Sequence, residues 1–528
     1  MKWRGAQFLL AFVILGQMAA RASNLDTIGV TLLRAVTTNV NGAGIRVGQA
    51  EAGAPYWEVN PGAVGQPTNL FTYFYGTSPY LSVSTANTFT NSLGLESGHA
   101  NAVAGNFYGR SGGTATNVAH VDNYEAGTLY NYYVNQSHSI TDLVVNQSFI
   151  FCNADYSHLP VSTEQQIEQQ YDNYAAQYKI LFVSGAGNGG PTNQAQIYPP
   201  ANCYNGIGVA AYGGGSCTGP TLDNGRAKPD ITAPAAETSY STPQVAGAAA
   251  VLMQAGLRGD GGSDTNSAAD IRTVKALLLN GAVKSSDWTN GAVSPLDARY
   301  GAGVLNVFNS YKQLAGRKQT NVVSASVSAS AAHPPTGATN TIGGLSGWNF
   351  TNLTSSSSSD GVNHYYFNVT NGVSTAAFTA TATLVWNRQQ NQSDINNLNL
   401  FLYNAANSNL VTVCTSAVDN VQHLFVPKLP QGRYDLQVLK KGGSYVSASE
   451  TYALAFEFFL TPLNITITGT NATLTWPIYP AGFVLQAATN LAAPVWNTNN
   501  PAPAVTNGQN CVTLGATNGS RFFRLRRP

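Results

Sequence analysis

The chain has 528 residues, of which 43% are hydrophobic, so it is long enough for roughly two to four domains with substantial buried cores. Only 10% of the residues are charged and the formal net charge is +1, which excludes the basic surface typical of nucleic-acid-binding proteins. Soluble domains usually carry about a quarter charged residues. The polar surface must therefore come mainly from uncharged side chains.

The N-terminus has the pattern of a secretory signal peptide. Lys2 and Arg4 precede an apolar run of roughly ten residues, and the tripeptide "ARA" that ends at Ala22 fits a small-x-small cleavage site. The run is shorter than the ~20 residues that a membrane-spanning helix needs, and no later stretch is long enough either. We therefore expect cleavage after Ala22 and a secreted mature protein, located outside the cell or in the periplasm.

From about residue 40 to 315, short apolar runs alternate with helical patterns. Runs rich in β-branched residues and bounded by turn residues predict buried strands. These runs are "GIRVGQA" (44–50), "DLVVNQSF" (142–149), "KILFVS" (179–184) and "NGIGVAAY" (205–212). Helical patterns lie at "TEQQIEQQYDNYAAQYK" (163–179), with one face made by Ile167, Tyr171, Tyr174 and Tyr178, and at "DIRTVKALLLNGAV" (270–283) and "GVLNVFNSYKQL" (303–314). This alternation predicts an α/β domain with a mostly parallel sheet, in which the chemistry gathers at the carboxyl ends of the strands.

Four polar residues occur where such chemistry would be expected. Glu51 ends the first predicted strand, and His99 begins a helical segment of small residues, "HANAVAG". Asn188 lies in the glycine-rich turn "SGAGNGG" after a strand, where a side-chain amide can donate to an oxyanion. Ser239 precedes Pro243 in "ETSYSTPQVAGAAAVLM", which reads as a helix start. A serine there lies near backbone N–H groups and the positive end of a helix dipole.

The blocks around these residues resemble those of the subtilisin-like serine peptidases, the subtilases. "ETSYSTPQVAG" is similar to the family's serine block, "HANAVAG" to its histidine block, "EAG" to its acid block and "SGAGNGG" to its oxyanion block. A fifth block, "AKPDITAPA" (227–235), also has a counterpart, and all five occur in the family's order. The resemblance covers about residues 40 to 315. It implies a subtilisin-like sheet flanked by helices and serine endopeptidase activity on protein or peptide substrates.

The resemblance also implies a role for each residue. Ser239 would attack the scissile carbonyl, and His99 would take its proton and return it to the leaving amine. Glu51 would orient the imidazole and stabilise its charged form, and Asn188 would hold the oxyanion. A serine hydroxyl needs such a base because it is a poor nucleophile while it keeps its proton.

The substrate side of the site is implied at Ser148, Phe149 and Gly187. Two residues near the chemistry depart from the family pattern. Glu51 replaces an aspartate and is one methylene longer, and Glu237 replaces the glycine two residues before the nucleophile. These departures keep a second hypothesis open, in which a catalytically degenerate subtilase scaffold serves as a cell-surface adhesion or carbohydrate-binding protein.

The composition divides the chain into a peptidase domain at 23–316, a polar linker at 317–360, a jelly-roll-like β-sandwich at 361–462 and a small β module at 463–528. Seven runs that alternate or stay apolar between turn residues predict the sandwich. We expect the β domains to supply any contact with a cell surface or glycan.

Cysteine usage and metal-binding patterns complete the prediction. The five cysteines are Cys152, Cys203, Cys217, Cys414 and Cys511. We expect Cys203 to pair with Cys217, and the odd number leaves at least one thiol unpaired within the chain. No motif predicts a zinc site or a cofactor. Asp394 with its Asn and Ser neighbours is a weak candidate for a calcium loop, because such loops normally use several carboxylates.

Overall fold

The structure is a computed structural model. It describes residues 23–53, 56–77, 79–89, 91, 94–189, 196–329, 332–370, 378–443, 446–460, 463–477, 483–490, 495–498, 500–506, 509–516 and 521–526. The signal peptide predicted at residues 1–22 lies outside the described residues.

The N-terminal part of the described chain combines helices and strands. Its helices are α1 (Asn24–Thr27), α2 (Val30–Val36), α3 (Gly98–Phe107), α4 (Ala126–Thr128), α5 (Val161–Tyr178), α6 (Thr238–Arg258), α7 (Thr265–Ala268), α8 (Ile271–Asn280) and α9 (Val307–Ala315). Short 3-10 segments lie at Gly62–Val64 and Thr68–Leu70, and a π-helical segment at Leu129–Val134. Its strands are β1 (Arg46–Glu51), β2 (Trp57–Glu58), β3 (Phe71–Thr77), β4 (Ser82–Ala86), β5 (Leu95–Glu96), β6 (His120–Glu125), β7 (Val144–Gln147), β8 (Leu181–Gly185), β9 (Ile207–Tyr212) and β10 (Ile231–Pro234).

A twisted central sheet organises this part of the protein. Its strand order is β10-β9-β8-β7-β1-β6-β3-β4, and every pairing is parallel except that of β3 with β4 at one edge. Strands β1, β7 and β8 are buried along their whole length apart from the first residue of β1. Such continuous burial is typical of parallel sheets covered by helices on both faces. The α/β class predicted from the sequence is confirmed.

Helix α5 follows the predicted amphipathic pattern. Ile167, Tyr171 and Tyr174 are buried against the sheet, whereas Tyr178 in the last turn is half-buried. The helix begins after Pro160 and ends at Lys179, which adopts a left-handed conformation with φ 60°.

Helix α6 passes through the centre of the domain, and its small residues allow close packing. All residues from Ser241 to Gly256 are buried. A Cβ at Gly247 would lie 2.6 Å from Cβ of Thr114, so only glycine permits this approach of the helix to its neighbour. Gly247, within the run "VAGAAAV", is thus required by packing.

A β-sandwich follows. Its strands are β11 (Val323–Ser328), β12 (Ser346–Thr354), β13 (Ser359–Val369), β14 (Phe378–Trp386), β15 (Leu398–Asn404), β16 (Leu410–Cys414), β17 (Val421–Leu429), β18 (Gly432–Lys440) and β19 (Ser449–Phe459). They form two antiparallel sheets, ordered β11-β13-β18-β15-β16 and β12-β19-β14-β17. The seven predicted strands correspond in order to β13 through β19. Both sheets bury apolar side chains into a shared core that includes Tyr365, Trp386 and Phe456.

The stretch interpreted as a polar linker differs from that expectation. Within 317–360, β11 pairs with β13 and β12 pairs with β19, so both belong to the sandwich. Strand β11 has the sequence "VSASVS" and alternates between half-buried and exposed residues at the sheet edge. The composition of this stretch did not predict strand β11, because strands pair through backbone groups, and small polar residues supply these as well as apolar ones do.

The sandwich packs directly against the α/β domain. Trp348 and Val385 from the sandwich belong to the same apolar cluster as the helices of that domain. The side chain of Asn280, at the end of α8, accepts hydrogen bonds from the hydroxyls of Thr381 (2.9 Å) and Thr383 (3.0 Å). The first β module is therefore part of the packed structure and is not a tethered appendage.

The last described strands are β20 (Asn464–Thr468), β21 (Asn471–Pro477), β22 (Val484–Ala488), β23 (Ala504–Thr506), β24 (Gln509–Gly515) and β25 (Phe522–Arg526). A small core around Leu474, Trp476, Leu485 and Val512 holds them together. In the described part of the chain, no helix is both long enough and apolar enough to cross a membrane.

All five cysteines are free thiols, so the prediction of a disulfide between Cys203 and Cys217 is wrong. A Cβ at Gly187 would lie 2.9 Å from the sulfur of Cys217, whereas Cys203 lies near Gly206 in the main core. Sequence proximity does not fix which way two thiols point, so the pairing could not be decided from spacing.

Candidate active site

The carboxyl end of β1 places Glu51 against the first turn of α3. Glu51 is 1% exposed, and one of its carboxylate oxygens lies 3.0 Å from Nδ1 of His99. His99 is the second residue of α3, which begins because the Ser97 hydroxyl accepts from the backbone N–H of His99 and of Ala100. The longer glutamate side chain therefore reaches the imidazole within hydrogen-bond distance.

A buried network fixes the Glu51 carboxylate. Gln49 lies two residues earlier on β1 and therefore on the same face of the sheet. Its amide donates to the second oxygen of Glu51 (2.6 Å) and to the carbonyl of Ala100 (3.0 Å), and its own oxygen accepts from the Tyr108 hydroxyl (2.7 Å). Sequence reasoning missed Gln49 and Tyr108, although the two-residue spacing of Gln49 from the acid was a usable signal for the first of them.

Opposing effects act on the pKa of His99. Burial lowers the pKa, but the hydrogen bond and negative charge of Glu51, joined by the charge of Glu237, raise it above the ordinary value. The ring lies between two aromatic rings, with centroid distances of 5.2 Å to Trp57 and 5.9 Å to Tyr240. Its side chain stays 23% exposed, so part of the imidazole is accessible from solvent.

Removing the charge of Glu237 is expected to lower the pKa of His99. In Glu237→Gln the imidazole loses a nearby anion, its protonated form is less stabilised, and the titration midpoint moves to lower pH. An NMR titration of the His99 ring resonances in both proteins measures this shift. Glu96→Gln is the control, because Glu96 bonds to Asn60 and Asn101 and not to His99. An unchanged midpoint in Glu237→Gln would show that its charge does not act on His99.

Ser239 is the second residue of α6, and its backbone carbonyl has an unusual partner. Pro243 lies four residues later and has no N–H, so it cannot make the helical hydrogen bond to this carbonyl. The Ser148 hydroxyl, at the end of β7, donates to it instead at 3.0 Å. Proline thus frees a carbonyl that ties the start of α6 to the neighbouring strand end, which fixes the position of Ser239.

Asn188 acts as the cap of α6 in place of the side chain at the N-cap position. Glu237 makes no capping hydrogen bond, but the Asn188 oxygen accepts from the backbone N–H (2.9 Å) and the hydroxyl (2.7 Å) of Thr238. These bonds fix the oxygen as the acceptor and leave the NH₂ group of the amide as a donor next to Ser239. Gly187 holds the turn at φ +104°, where a Cβ would lie 2.9 Å from both Cys217 and Tyr198.

A cleft of about 610 Å³ opens beside Ser239. Its walls are the segment that follows β7 and the turn that follows β8. All three residues expected on the substrate side line it, together with the nucleophile candidate and the oxyanion candidate: Ser148, Phe149, Gly187, Asn188 and Ser239.

The structure brings the candidate residues to one edge of the sheet but does not join all of them. Glu51 and His99 are hydrogen-bonded, and Asn188 contacts the residue next to Ser239. Among the described residues, the hydroxyl of Ser239 has no hydrogen-bond partner, and neither has Nε2 of His99.

Comparison with known protein families identifies the domain that contains the candidate site. The model of the subtilase family, peptidase S8, matches residues 82–303. The chain contains a subtilase domain. The matched segment includes His99, Asn188 and Ser239 but not Glu51, which was identified from the acid block and its contact with His99. This places the domain among the serine peptidases.

Several solved structures are similar to about half or to most of the chain. The prenylagaramide maturation protease PagA is 17% identical, with 55% of this chain and 99% of that chain covered and a TM-score of 0.37. The PatG macrocyclase in complex with peptide is also 17% identical, with coverage of 56% and 99% and a TM-score of 0.39. The serine protease of Aeromonas sobria is 12% identical, with coverage of 92% and 89% and a TM-score of 0.33. No curated protein matches the sequence.

The calcium candidate Asp394 lies away from the subtilase cleft. It lines a separate recess with Tyr204 and Asn397 at the contact with the sandwich. Within the described ranges, no three His, Cys, Asp or Glu residues are grouped as a metal site would require. A calcium role for Asp394 stays a prediction.

Proposed function

We propose that the subtilase domain is a serine endopeptidase that hydrolyses peptide bonds with Ser239, His99 and Glu51. The hydrogen bond between Glu51 and His99 is the observation that carries the proposal. A buried carboxylate on Nδ1 fixes the tautomer in which Nε2 lacks a proton and accepts one. Nε2 is the nitrogen that faces away from Glu51, and a base at that position is what a serine nucleophile requires.

The reaction would proceed in two stages. His99 takes the proton of the Ser239 hydroxyl as its oxygen attacks the scissile carbonyl, and Glu51 stabilises the resulting imidazolium. His99 then protonates the leaving amine, which departs and leaves an acyl group on Ser239. A water molecule, deprotonated by His99, hydrolyses this ester and restores the hydroxyl. In ligand-free sites the bond between nucleophile and base is often long and shortens when substrate binds.

Developing negative charge on the carbonyl oxygen would be stabilised by two groups. The NH₂ group of Asn188 is free to donate beside Ser239, because its oxygen is held by Thr238. Ser239 lies in the first turn of α6, where N–H groups are not used within the helix and the dipole favours an anion. Together these groups form an oxyanion site of the type that accelerates acyl transfer.

Secretion is part of the same proposal. The positively charged start, the short apolar run and the small-x-small site ending at Ala22 support export of the mature chain.

A fluorophosphonate probe tests the proposal. The probe reacts with serines that a base has activated, so we expect one adduct, on Ser239, and none in Ser239→Ala. Peptide mass spectrometry locates the adduct. Ser241→Ala is the matched control, because Ser241 lies in the same helix turn, is fully buried and donates to the Thr238 carbonyl. A folded chain that takes no label on Ser239 would support the alternative of a degenerate scaffold.

A further inference from the structure

Among the described residues, Asp155 supplies the one carboxylate that lines the cleft beside Ser239. We propose that Asp155 selects substrates with a lysine or arginine on the acyl side of the scissile bond. This inference rests on the proposed peptidase function and adds the class of residue that is cleaved. The proposal concerns the substrate side chain on the residue whose carbonyl Ser239 attacks. The recess with Asp155 adjoins both Ser239 and Asn188, so that side chain is the one placed beside it.

Asp155 lines the cleft together with Ser239 and Asn188. It belongs to a tight loop in which Asn153 and Ser157 hydrogen-bond to each other through backbone and side-chain atoms. One oxygen of Asp155 accepts from the N–H (3.0 Å) and the hydroxyl (2.5 Å) of Ser157. The other oxygen has no partner among the described residues, so the loop presents a fixed carboxylate with an unused acceptor.

The carboxylate stays ionised near neutral pH. The hydrogen bonds from the hydroxyl and the backbone N–H of Ser157 hold the pKa of Asp155 below its ordinary value. No lysine, arginine or histidine lines the described part of the cleft. The nearest imidazole, His158, is hydrogen-bonded to Glu164 and stacks on Tyr198, so the charge of Asp155 is not neutralised by an ion pair.

The other walls suit the long stem of a basic side chain. Phe149, Tyr156 and Tyr198 surround the recess, and their aromatic faces attract both methylene groups and cations. The hydroxyl of Tyr198 donates to the carbonyl of Tyr156 at 2.7 Å, which ties one wall to the loop that carries Asp155. An apolar substrate side chain would meet the same walls, but it would leave the carboxylate unpaired. The recess therefore favours a cation over an uncharged chain of equal length.

Matched peptides measure this selectivity. The peptides differ only at the residue on the acyl side of the scissile bond, which is lysine, arginine or the uncharged norleucine. We expect kcat/KM to be up to about fivefold higher for the basic residues, because Asp155 is exposed and its ion pair with the substrate is exposed as well. Asp155→Asn keeps an oxygen for Ser157 and removes the charge, so it should abolish the difference while leaving the norleucine peptide unaffected. Asp287→Asn, which removes an exposed carboxylate that accepts a hydrogen bond from Arg299 and does not line this cleft, should change neither rate.

A binding measurement separates the selectivity from the catalytic proposal. Benzamidine, an aromatic cation, and its uncharged analogue benzamide are titrated by calorimetry into the Ser239→Ala chain. We expect benzamidine to bind and to lose up to about fivefold in affinity when Asp155→Asn is added, with no change for benzamide. If the unmodified chain cleaves none of the peptides while benzamidine binding to the Ser239→Ala chain still depends on Asp155, the recess is supported and the peptidase proposal is overturned. Two outcomes would overturn the inference about Asp155. One is Ser239-dependent cleavage without preference for a basic residue, and the other is a benzamidine affinity that is the same with and without Asp155→Asn.

Discussion

Replacing His99 with alanine is expected to lower kcat for peptide cleavage by about 10⁶-fold. The substitution removes the group that takes the proton of Ser239, and the remaining oxyanion donors cannot replace a base. Covalent labelling of Ser239 by a fluorophosphonate should be lost as well, although the serine is still present. Steady-state kinetics on one peptide, with labelling in parallel, measures both effects.

His138→Ala is the matched control for this variant. His138 lies on the surface of the same domain, stacks on Tyr132 at a centroid distance of 4.1 Å and does not line the cleft. Its removal should leave kcat unchanged. Because His99 is partly exposed and, among the described residues, its ring hydrogen-bonds only to Glu51, the His99→Ala chain should fold, which circular dichroism checks. Undiminished cleavage by folded His99→Ala would rule out the mechanism.

Replacing Glu51 with glutamine is expected to lower kcat by about 10⁴-fold with little change in KM. The glutamine amide donates where the carboxylate accepted, so it favours the tautomer of His99 with the proton on the wrong nitrogen. Loss of the negative charge also destabilises the imidazolium. Since Glu51 raises the pKa of His99, the residual activity of Glu51→Gln should extend to lower pH. The dependence of kcat/KM on pH measures this change.

Two further variants sharpen the result. Glu51→Asp keeps the charge but shortens the side chain by one bond, about 1.5 Å, so it should recover only part of the lost activity. Asp435→Asn removes a carboxylate from a similar pair in the sandwich, where Asp435 lies 2.8 Å from Nδ1 of His364. That variant should affect stability and leave kcat near its original value. Equal activity in Glu51→Gln and the unmodified chain would show that Glu51 has no part in the reaction.

The sequence predicted the central strands and helices well because burial repeats along them. Strands β1, β7, β8 and β9 and helices α5, α8 and α9 lie within a few residues of the predicted positions. Continuous apolar runs and the spacing of aromatic residues in α5 carry this signal locally. Strands β11 ("VSASVS") and β12 ("SGWNFTNLT") were missed because serine, glycine, asparagine and threonine separate their apolar residues, so neither has a continuous apolar run. Pairing with β13 and β19 defines them.

In the candidate active site too, some residues could be predicted from local sequence and others only from the folded structure. The local blocks identified Glu51, His99, Asn188 and Ser239, because each residue belongs to a short motif whose chemistry can be read without knowing the fold. Gln49, Tyr108 and Asp155 have no motif. Their roles depend on contacts with residues distant in sequence, and these contacts exist only in the folded chain.

By itself, the sequence determined the α/β class, the order of the strands along the chain and the identity of the candidate catalytic groups. These properties follow from local periodicity and from short spacings. The tertiary structure alone decided that Glu51 reaches His99 despite replacing a shorter acid, and that Ser148 replaces the hydrogen bond that Pro243 cannot make. It also decided that Cys203 and Cys217 stay apart. The physical reason is that distances and directions between side chains are set by the packing of whole elements, which no single stretch of sequence contains.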